Sequence, residues 1–202
     1  MKIKYILHGG NAQHANSEND KFFAEILKDT NDQVKILLVE FAGRDEKIDS
    51  NFKTDKAQFL RVSGEKEPIF ELATQGNFIK QIKKSDIVYF SGGTTIRLMD
   101  KLKEYKNLDG SFSGKIIAGE SAGANSLSAY CYSKSGGGVI QCLGLVPVKT
   151  IPHYEKGIES YFKDVSPDIE SLFLPEYKFK VFEIEIRKSH LSGGMGIRKN
   201  AC

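Results

Sequence analysis

The chain has 202 residues, of which 40% are hydrophobic and 27% are charged, the balance of a globular protein with a sizeable core. Its 29 lysines and arginines nearly match its 26 aspartates and glutamates, so charge does not predict a nucleic-acid partner or an anionic membrane surface. The three cysteines form no paired framework and the four histidines are scattered, which predicts reduced thiols, a cytoplasmic protein and no metal site.

No segment resembles a targeting or membrane-spanning sequence. The chain begins with a lysine-flanked strand, and no apolar run approaches the roughly 18 residues that a membrane span needs, so we expect no signal peptide and no membrane partner. There is also no internal repeat and no low-complexity linker. We therefore expect a single domain over residues 1–202, with a poorly ordered or atypical tail at 186–202.

Strand and helix patterns alternate from the N-terminus. Residues 3–7 predict a strand that ends at His8, where an imidazole could face a site, although a histidine in such a turn is more often structural. A capping signature at 17–20 precedes a helix whose apolar side chains share one face. Residues 34–41 predict a strand that is covered on both faces.

The middle of the chain contains a glycine pair between a strand and a helix. We predict a helix or loop up to Lys56, a short strand at 59–62 and a helix over 69–82. Residues 87–90 predict a buried strand that ends at Ser91-Gly92-Gly93-Thr94-Thr95, before another helix. The chain has no phosphate-binding glycine motif, so the better use for these amides is to donate to an oxyanion; a packing turn is the alternative.

The pattern G-x-S-x-G follows, after a polar loop at 107–114. Gly119, Ser121 and Gly123 lie between a short apolar run and a series of small residues, the strand–turn–helix context of a nucleophile elbow. Glycines flank the serine because a sharp turn leaves no room for bulk, and the amide of Ala122 would point to a developing oxyanion. The same pattern also occurs by chance at tightly packed turns.

The remaining segments complete an alternating pattern. Residues 133–138 predict a flexible glycine-rich loop and 139–152 an extended segment that leads to His153; helices are predicted at 158–165 and from 166 to 173, and an edge strand at 181–186. Alternation predicts an α/β fold with a mostly parallel sheet and helices on both faces. Its sites lie at the carboxyl ends of strands, where His8, the glycine pair, Ser121 and His153 would meet.

A serine hydroxyl needs a base, and His153 is the best candidate among the histidines. It lies downstream of Ser121, and Pro152 fixes the backbone before it. Its second ring nitrogen needs an acceptor, for which Glu155 is a better candidate than Glu120, because residues two apart in an extended chain face the same side.

These motifs resemble the peptidase E family of serine peptidases, which includes aspartyl dipeptidases and cyanophycin-degrading enzymes. The similarity rests on residues 90–95, 119–125 and 152–154 and runs from residue 1 to about Glu176. It implies a three-layer α/β/α sandwich like that of class I glutamine amidotransferases. It also implies Ser121 as nucleophile, His153 as base, the amides of Gly93 and Ala122 as the oxyanion hole, a small peptide as substrate, and no metal or cofactor.

The sequence departs from this family in the segment where its third catalytic residue, an acid, is expected. Residues 132–138 hold no carboxylate, so Ser133, Ser135 or Glu155 would have to orient His153. An aspartyl preference needs a cation near the substrate, and nothing singles out Arg44, Arg97 or Lys134. The segment after Leu174 also differs from the family's final strands.

Three functions remain open at this stage. The first is a serine peptidase for small peptides, with a cleft restricted by loops 11–16, 43–56 and 133–138. The second is an amidotransferase-like or esterase hydrolase, although a serine stands where amidotransferases have cysteine. The third is a catalytically weak or inactive member that acts as a binding module, which a missing acid would favour.

Overall fold

A computed structural model describes residues 2–185. In chain order its elements are β1 (Lys2–His8), α1 (Ser17–Leu27), β2 (Lys35–Val39), α2 (Ile48–Val62), β3 (Ile69–Leu72), α3 (Phe78–Lys84), β4 (Ile87–Phe90), α4 (Thr95–Leu102), α5 (Leu108–Ser111), β5 (Ile116–Glu120), α6 (Ala122–Leu127), β6 (Ser128–Ser133), β7 (Gly138–Gln141), β8 (Val146–Pro152), β9 (Glu170–Leu174) and β10 (Phe179–Glu185). The predicted tail at 186–202 lies outside the described residues.

The strands form two sheets. The larger has the order β10-β1-β5-β4-β2-β3 and the smaller has the order β7-β6-β8-β9. All neighbouring strands run parallel except β10, which is antiparallel to β1, and β7, which is antiparallel to β6. The predicted α/β sandwich with mostly parallel strands is confirmed, and the second sheet is a feature that the sequence patterns did not indicate.

The two faces of the larger sheet bury separate hydrophobic clusters. Along β1, Tyr5 and Leu7 point into one cluster and Ile6 into the other, the alternation expected of a strand covered on both sides. Helices α1 and α2 cover the face of Ile6, whereas α3 to α6 and the inner side chains of the smaller sheet cover the opposite face. No helix within residues 2–185 combines the length and the apolar character that crossing a membrane requires.

Several predicted elements are confirmed. The strands predicted at 3–7, 34–41 and 87–90 and the apolar face of the first helix are present, and β10 occupies the described part of the strand predicted at 181–186; it lies at the sheet edge as predicted. The cap of α1 is Asn16, whose side chain accepts from the amides of Glu18 and Asn19, rather than the residues at 17–20. A short helix, α5, occupies part of the predicted loop at 107–114.

Four segments have a different structure from the one predicted. Residues 59–62 belong to α2 and not to a strand. The sequence pattern did not reveal this helix because it buries the polar side chains Asp55 and Gln58 beside Phe59 and so lacks a simple apolar stripe. The segment 69–82 contains β3 and α3 instead of one helix. The proline signature near 167 suggested a helix over 166–173, but Leu172 and Leu174 alternate into the core as part of β9. Only one 3₁₀ turn forms within 158–165.

Candidate active site

Ser121 lies in the sharp turn between β5 and α6. Its backbone has φ 49° and ψ −105°, a conformation that L-residues rarely adopt and that strain-bearing functional turns often contain. The flanking glycines permit this turn because a Cβ on Gly119 would lie 2.5 Å from the carbonyl carbon of Gly123, and one on Gly123 would overlap the backbone of Phe90. The turn is anchored by the Ser121 amide, which donates to the carbonyl of His8 at 3.0 Å.

His153 follows the last residue of β8 and faces the serine. The Nε2 atom of His153 lies 3.0 Å from the Oγ atom of Ser121, within hydrogen-bond distance. The His153 backbone has φ 50°, and its amide donates to the carbonyl of Gly9 at 2.7 Å. The structure therefore brings together the two residues that the sequence predicted, in the geometry that general-base activation of a hydroxyl requires.

The second nitrogen of His153 contacts a residue that sequence reasoning missed. The Nδ1 atom lies 2.9 Å from Oε1 of Glu176, in the connection between β9 and β10. Glu155, predicted as the acceptor, is exposed, while Ser133 and Ser135 contact each other in the turn before β7. The predictions of Glu155 and of the two serines are therefore corrected to Glu176.

The register of the smaller sheet explains the position of Glu176. Strands β8 and β9 run parallel with Pro152 beside Leu174, so the residues that follow each strand emerge at the same edge. The hydrogen bond from His153 contributes most to lowering the pKa of the Glu176 carboxyl group, so this group is ionised at neutral pH. The signal in the sequence that could have indicated this strand is the apolar alternation over 170–174, where the proline signature predicts a helix instead.

The glycine pair after β4 lies beside the serine. Gly93 has φ 139°, and a Cβ at this position would come within 2.6 Å of the Ala42 carbonyl oxygen, so only glycine fits. The amide of Gly92 donates to Oε1 of Glu120 at 3.0 Å. Ala122 is the first residue of α6, where a backbone amide has no acceptor inside its own helix. Gly93 thus lines the same pocket as Ser121, Ala122 follows Ser121 in the chain, and their predicted role as an oxyanion hole stays a prediction.

A pocket of about 400 Å³ opens above these groups. It is lined by Asn11, Gln13, His14, Asn51, Gly92, Gly93, Glu120, Ser121 and His153. Two of the three loops expected to restrict the cleft therefore contribute, while the third, 133–138, is not part of this lining. The candidate cations Arg97 and Lys134 do not line it, and Arg97 donates to the carbonyl of Gly43; Arg44 lines an adjoining pocket that shares Asn51, Gly92 and Gly93 with it.

His8 supports the site without facing it. The ring is fully buried, and its Nε2 atom lies 3.0 Å from Oδ1 of Asn19, while its Nδ1 atom accepts from the Gly10 amide at 3.1 Å. Burial lowers the pKa of His8 to about 4, so the imidazole is neutral at physiological pH. The prediction that His8 is more often structural than a site residue agrees with this position.

Buried carboxyl groups lie behind the pocket. The Oγ atom of Ser91 lies 2.6 Å from Oε1 of Glu40 and 2.6 Å from Oδ2 of Asp55. A hydroxyl has only one hydrogen, so one of these contacts needs a proton from a carboxyl group. Burial, followed by the charge of Asp55, raises the pKa of Glu40 to about 9, which identifies Glu40 as the protonated partner.

Within residues 2–185 no group of histidine, cysteine and acidic side chains is arranged to hold a metal ion.

Comparisons with known proteins identify the family and the fold. The model of Peptidase family S51 matches residues 5–172. A candidate peptidase E protein from Listeria monocytogenes EGD-e superposes with a TM-score of 0.63 at 18% identity, covering 93% of this chain and 100% of that one. A peptidase from an acI-B1 Actinobacterium has a TM-score of 0.63 at 21% identity, with 89% of this chain and 82% of that one covered. No curated protein matches the sequence. At these identities the structural likeness establishes the fold.

Proposed function

The chain belongs to peptidase family S51 and is a serine peptidase, and we propose that it hydrolyses small peptides with Ser121 as nucleophile and His153 as base. The observation that supports these roles most strongly is the continuous chain of two hydrogen bonds, from Ser121 through His153 to Glu176, at the edge of an open pocket. In this proposal Glu176 is the third member of the catalytic triad.

The proposed reaction proceeds in two proton-transfer steps. Oγ of Ser121 attacks the peptide carbonyl carbon as its proton moves to Nε2 of His153, and the resulting imidazolium donates that proton to the departing amine. Water then repeats the sequence on the acyl-enzyme and regenerates the serine. Glu176 accepts from Nδ1, which keeps Nε2 free to take the proton and stabilises the imidazolium.

The oxyanion would be stabilised by the amides of Gly93 and Ala122. Gly93 lines the same pocket as Ser121, and Ala122 follows Ser121 at the start of α6; backbone amides fixed before the reaction need no reorganisation as charge develops on the carbonyl oxygen. The conformation of Gly93 supports this role, because a positive φ and the close Ala42 backbone hold its peptide unit in one orientation.

The pocket supports small peptides as substrates. Its volume of about 400 Å³ falls within the range of small-molecule sites, about 300–1,000 Å³. Asn11, Gln13, His14 and Asn51 form parts of its wall, which would restrict the approach of a folded protein. We propose a dipeptidase or a related small-peptide hydrolase. The binding-module alternative depended on the absence of a third acid, and the contact of Glu176 with His153 removes that argument.

A labelling experiment tests the proposal. A fluorophosphonate should modify the wild-type protein once, at Ser121, whereas Ser121→Ala should remain unlabelled. A panel of dipeptides and short acyl esters, measured with both proteins, then separates a peptidase from an esterase. Failure of wild-type protein to be labelled, together with no turnover of any peptide, would refute the proposed catalytic role of Ser121.

A further inference from the structure

Glu120 connects two walls of the pocket. It is the last residue of β5, directly before Ser121, and its side chain is almost completely buried. Its Oε1 accepts from the amide of Gly92 at 3.0 Å, and its Oε2 accepts from the amide of Ala12 at 3.4 Å. One carboxyl group therefore holds the glycine turn after β4 and the loop after β1 against each other.

The glycine turn is closely fitted to this carboxyl group. A Cβ at Gly92 would overlap the Glu120 carboxylate, although the Gly92 backbone itself needs no left-handed conformation. The neighbouring Gly93 packs its Cα against the backbone of Ala42. The peptide unit between the two glycines, which contains the Gly93 amide, is thus fixed from one side by Glu120 and from the other by Ala42.

Resting on the proposed function, we propose that Glu120 is a positioning residue for the oxyanion hole: its carboxylate holds the Gly92–Gly93 turn so that the Gly93 amide is aimed at the oxyanion formed at Ser121. Glu120 itself does not touch the reacting atoms in this role. It acts through the Gly92 amide, and it aligns the loop that contains Ala12 at the same time.

The role depends on the ionised carboxylate, because both of its backbone partners are donors. Protonation turns one oxygen into a donor that faces an N–H group, so one of the two bonds is lost. Burial, and then the charge of Asp55 from α2, raises the pKa of Glu120 to about 7, while its two amide contacts act in the opposite direction. Other titratable groups face Glu120 as well: Tyr89 on β4 and Glu40 after β2, His8 opposite Glu120 on β1, and His14 and His153 in the pocket lining. The alignment should therefore weaken as pH falls through about 7.

An oxygen-to-sulfur comparison isolates the oxyanion hole from the base. An ester and its thionoester, in which sulfur replaces the carbonyl oxygen, need the same nucleophile and base, but sulfur accepts hydrogen bonds from amides poorly. The ratio of kcat/KM for the two substrates therefore reports the oxyanion hole, because the contribution of the nucleophile and base is common to both substrates and cancels. A fluorophosphonate titration of Ser121 gives the fraction of folded, active sites in every variant.

Two substitutions disturb Glu120 in different ways. Glu120→Gln copies the protonated acid, and Gly92→Ala displaces the carboxyl group without changing its charge. Losing an oxyanion donor costs about 100- to 1,000-fold in kcat, so misaligning one should lower the oxygen-to-sulfur ratio by about tenfold or more. We expect the loss in kcat rather than in KM. Glu155→Gln, an exposed acid nearby, serves as the control and should leave the ratio unchanged.

The pH dependence completes the test. In the wild-type protein the ratio should fall as pH decreases through about 7, and in Glu120→Gln it should be low and independent of pH. A wild-type ratio that does not change with pH, or variants that lower ester and thionoester turnover equally, would show that Glu120 is only structural and would overturn the inference. If Ser121 takes up no fluorophosphonate and neither substrate is cleaved, the proposed function fails, and the inference fails with it.

Discussion

Replacing Glu176 by glutamine should lower kcat/KM by about tenfold, much less than the loss known for buried triad acids. The bond from His153 to Glu176 is 2.9 Å long, and a charged hydrogen bond of this kind contributes about 1.5–3 kcal/mol. The side chains of His153 and Glu176 are 43% and 42% exposed, so water screens the charge and can replace the lost acceptor. A remaining contribution of about 1.4 kcal/mol corresponds to a factor of about ten.

This magnitude contrasts with about 10⁴ in a serine protease whose acid is buried, where an amide forces the wrong tautomer of the histidine. In the exposed position of Glu176, a glutamine side chain can rotate and present its oxygen to Nδ1. Glu155→Gln is the matched control, because Glu155 lies two residues from His153 and is also exposed.

The assay compares kcat/KM for an alanyl p-nitroanilide, and the rate of fluorophosphonate labelling, at a pH near 8 where Glu176 is ionised. A loss above about 1,000-fold would mean that the acid is closed off from water during the reaction, which contradicts the reasoning from exposure. A normal Glu176→Gln enzyme beside a weakened Glu155→Gln enzyme would return the third role to Glu155.

Three further predictions concern stability, the glycine turn and specificity. The pKa of Glu40 is raised from 4.5 to about 9, so the folded protein retains a proton that the unfolded chain releases, and stability should fall as pH rises between these values. Glu40→Gln copies the neutral acid and should raise the free energy of unfolding near pH 8 by on the order of 2 kcal/mol, with little effect near pH 5, in urea titrations; an unchanged pH slope would contradict this. Gly93→Ala forces a positive φ on alanine and a 2.6 Å approach to the Ala42 carbonyl oxygen, so kcat should fall by about 100-fold, and normal turnover of an ester would exclude the proposed oxyanion role. Any preference for aspartyl over alanyl peptides should depend on Arg44, because Arg44 lines a cavity that shares Asn51, Gly92 and Gly93 with the pocket of Ser121; an aspartyl preference that Arg44→Ala leaves unchanged would contradict this.

The nucleophile and base could be predicted because their signals are local. Gly119 is needed by its contact with Gly123 in the same strand–turn–helix unit. Gly123 is needed because it lies against Phe90 of β4, but the spacing of the two glycines in the sequence already describes the turn around Ser121. His153 was found in a similar way, because an extended apolar segment and Pro152 end directly before it. Local backbone requirements of this kind leave a pattern that a single sequence can show.

Glu176 could not be found in this way because its position depends on pairing between distant segments. Its place beside His153 follows from the parallel register of Pro152 with Leu174, and no residue near either segment indicates that these two strands pair. A helix over 166–173 would leave no strand β9 beside β8, and without β9 nothing places Glu176 next to His153. The local proline signature is stronger than the weak apolar alternation, in which only Leu172 and Leu174 of the strand are buried.

The buried carboxyl groups were missed for a different reason. Asp55 lies in a polar segment that resembles a solvated helix face, yet it is completely buried against Ser91. Composition predicts that charged residues remain exposed, and this rule fails where a proton can be shared between neighbouring acids. The cost of burial is reduced because Glu40 stays neutral, so the sequence contains no opposite charge that would reveal the cluster.

The loop that follows β1 joins these separate parts into one site. The carbonyl groups of residues 8, 9 and 10 accept, in order, from the amides of Ser121, His153 and Tyr177, at 3.0, 2.7 and 3.2 Å. The nucleophile, the base and the residue next to Glu176 are therefore fixed to three consecutive peptide units. Gly10 must lack a side chain, because a Cβ there would overlap the His153 ring. Ser121 and His153 both keep unfavourable positive φ values, and this shared anchor supplies the restraint that holds them, since strained residues persist only where their surroundings fix them. The spacing between serine and imidazole is thus determined mainly by a segment that contains neither residue.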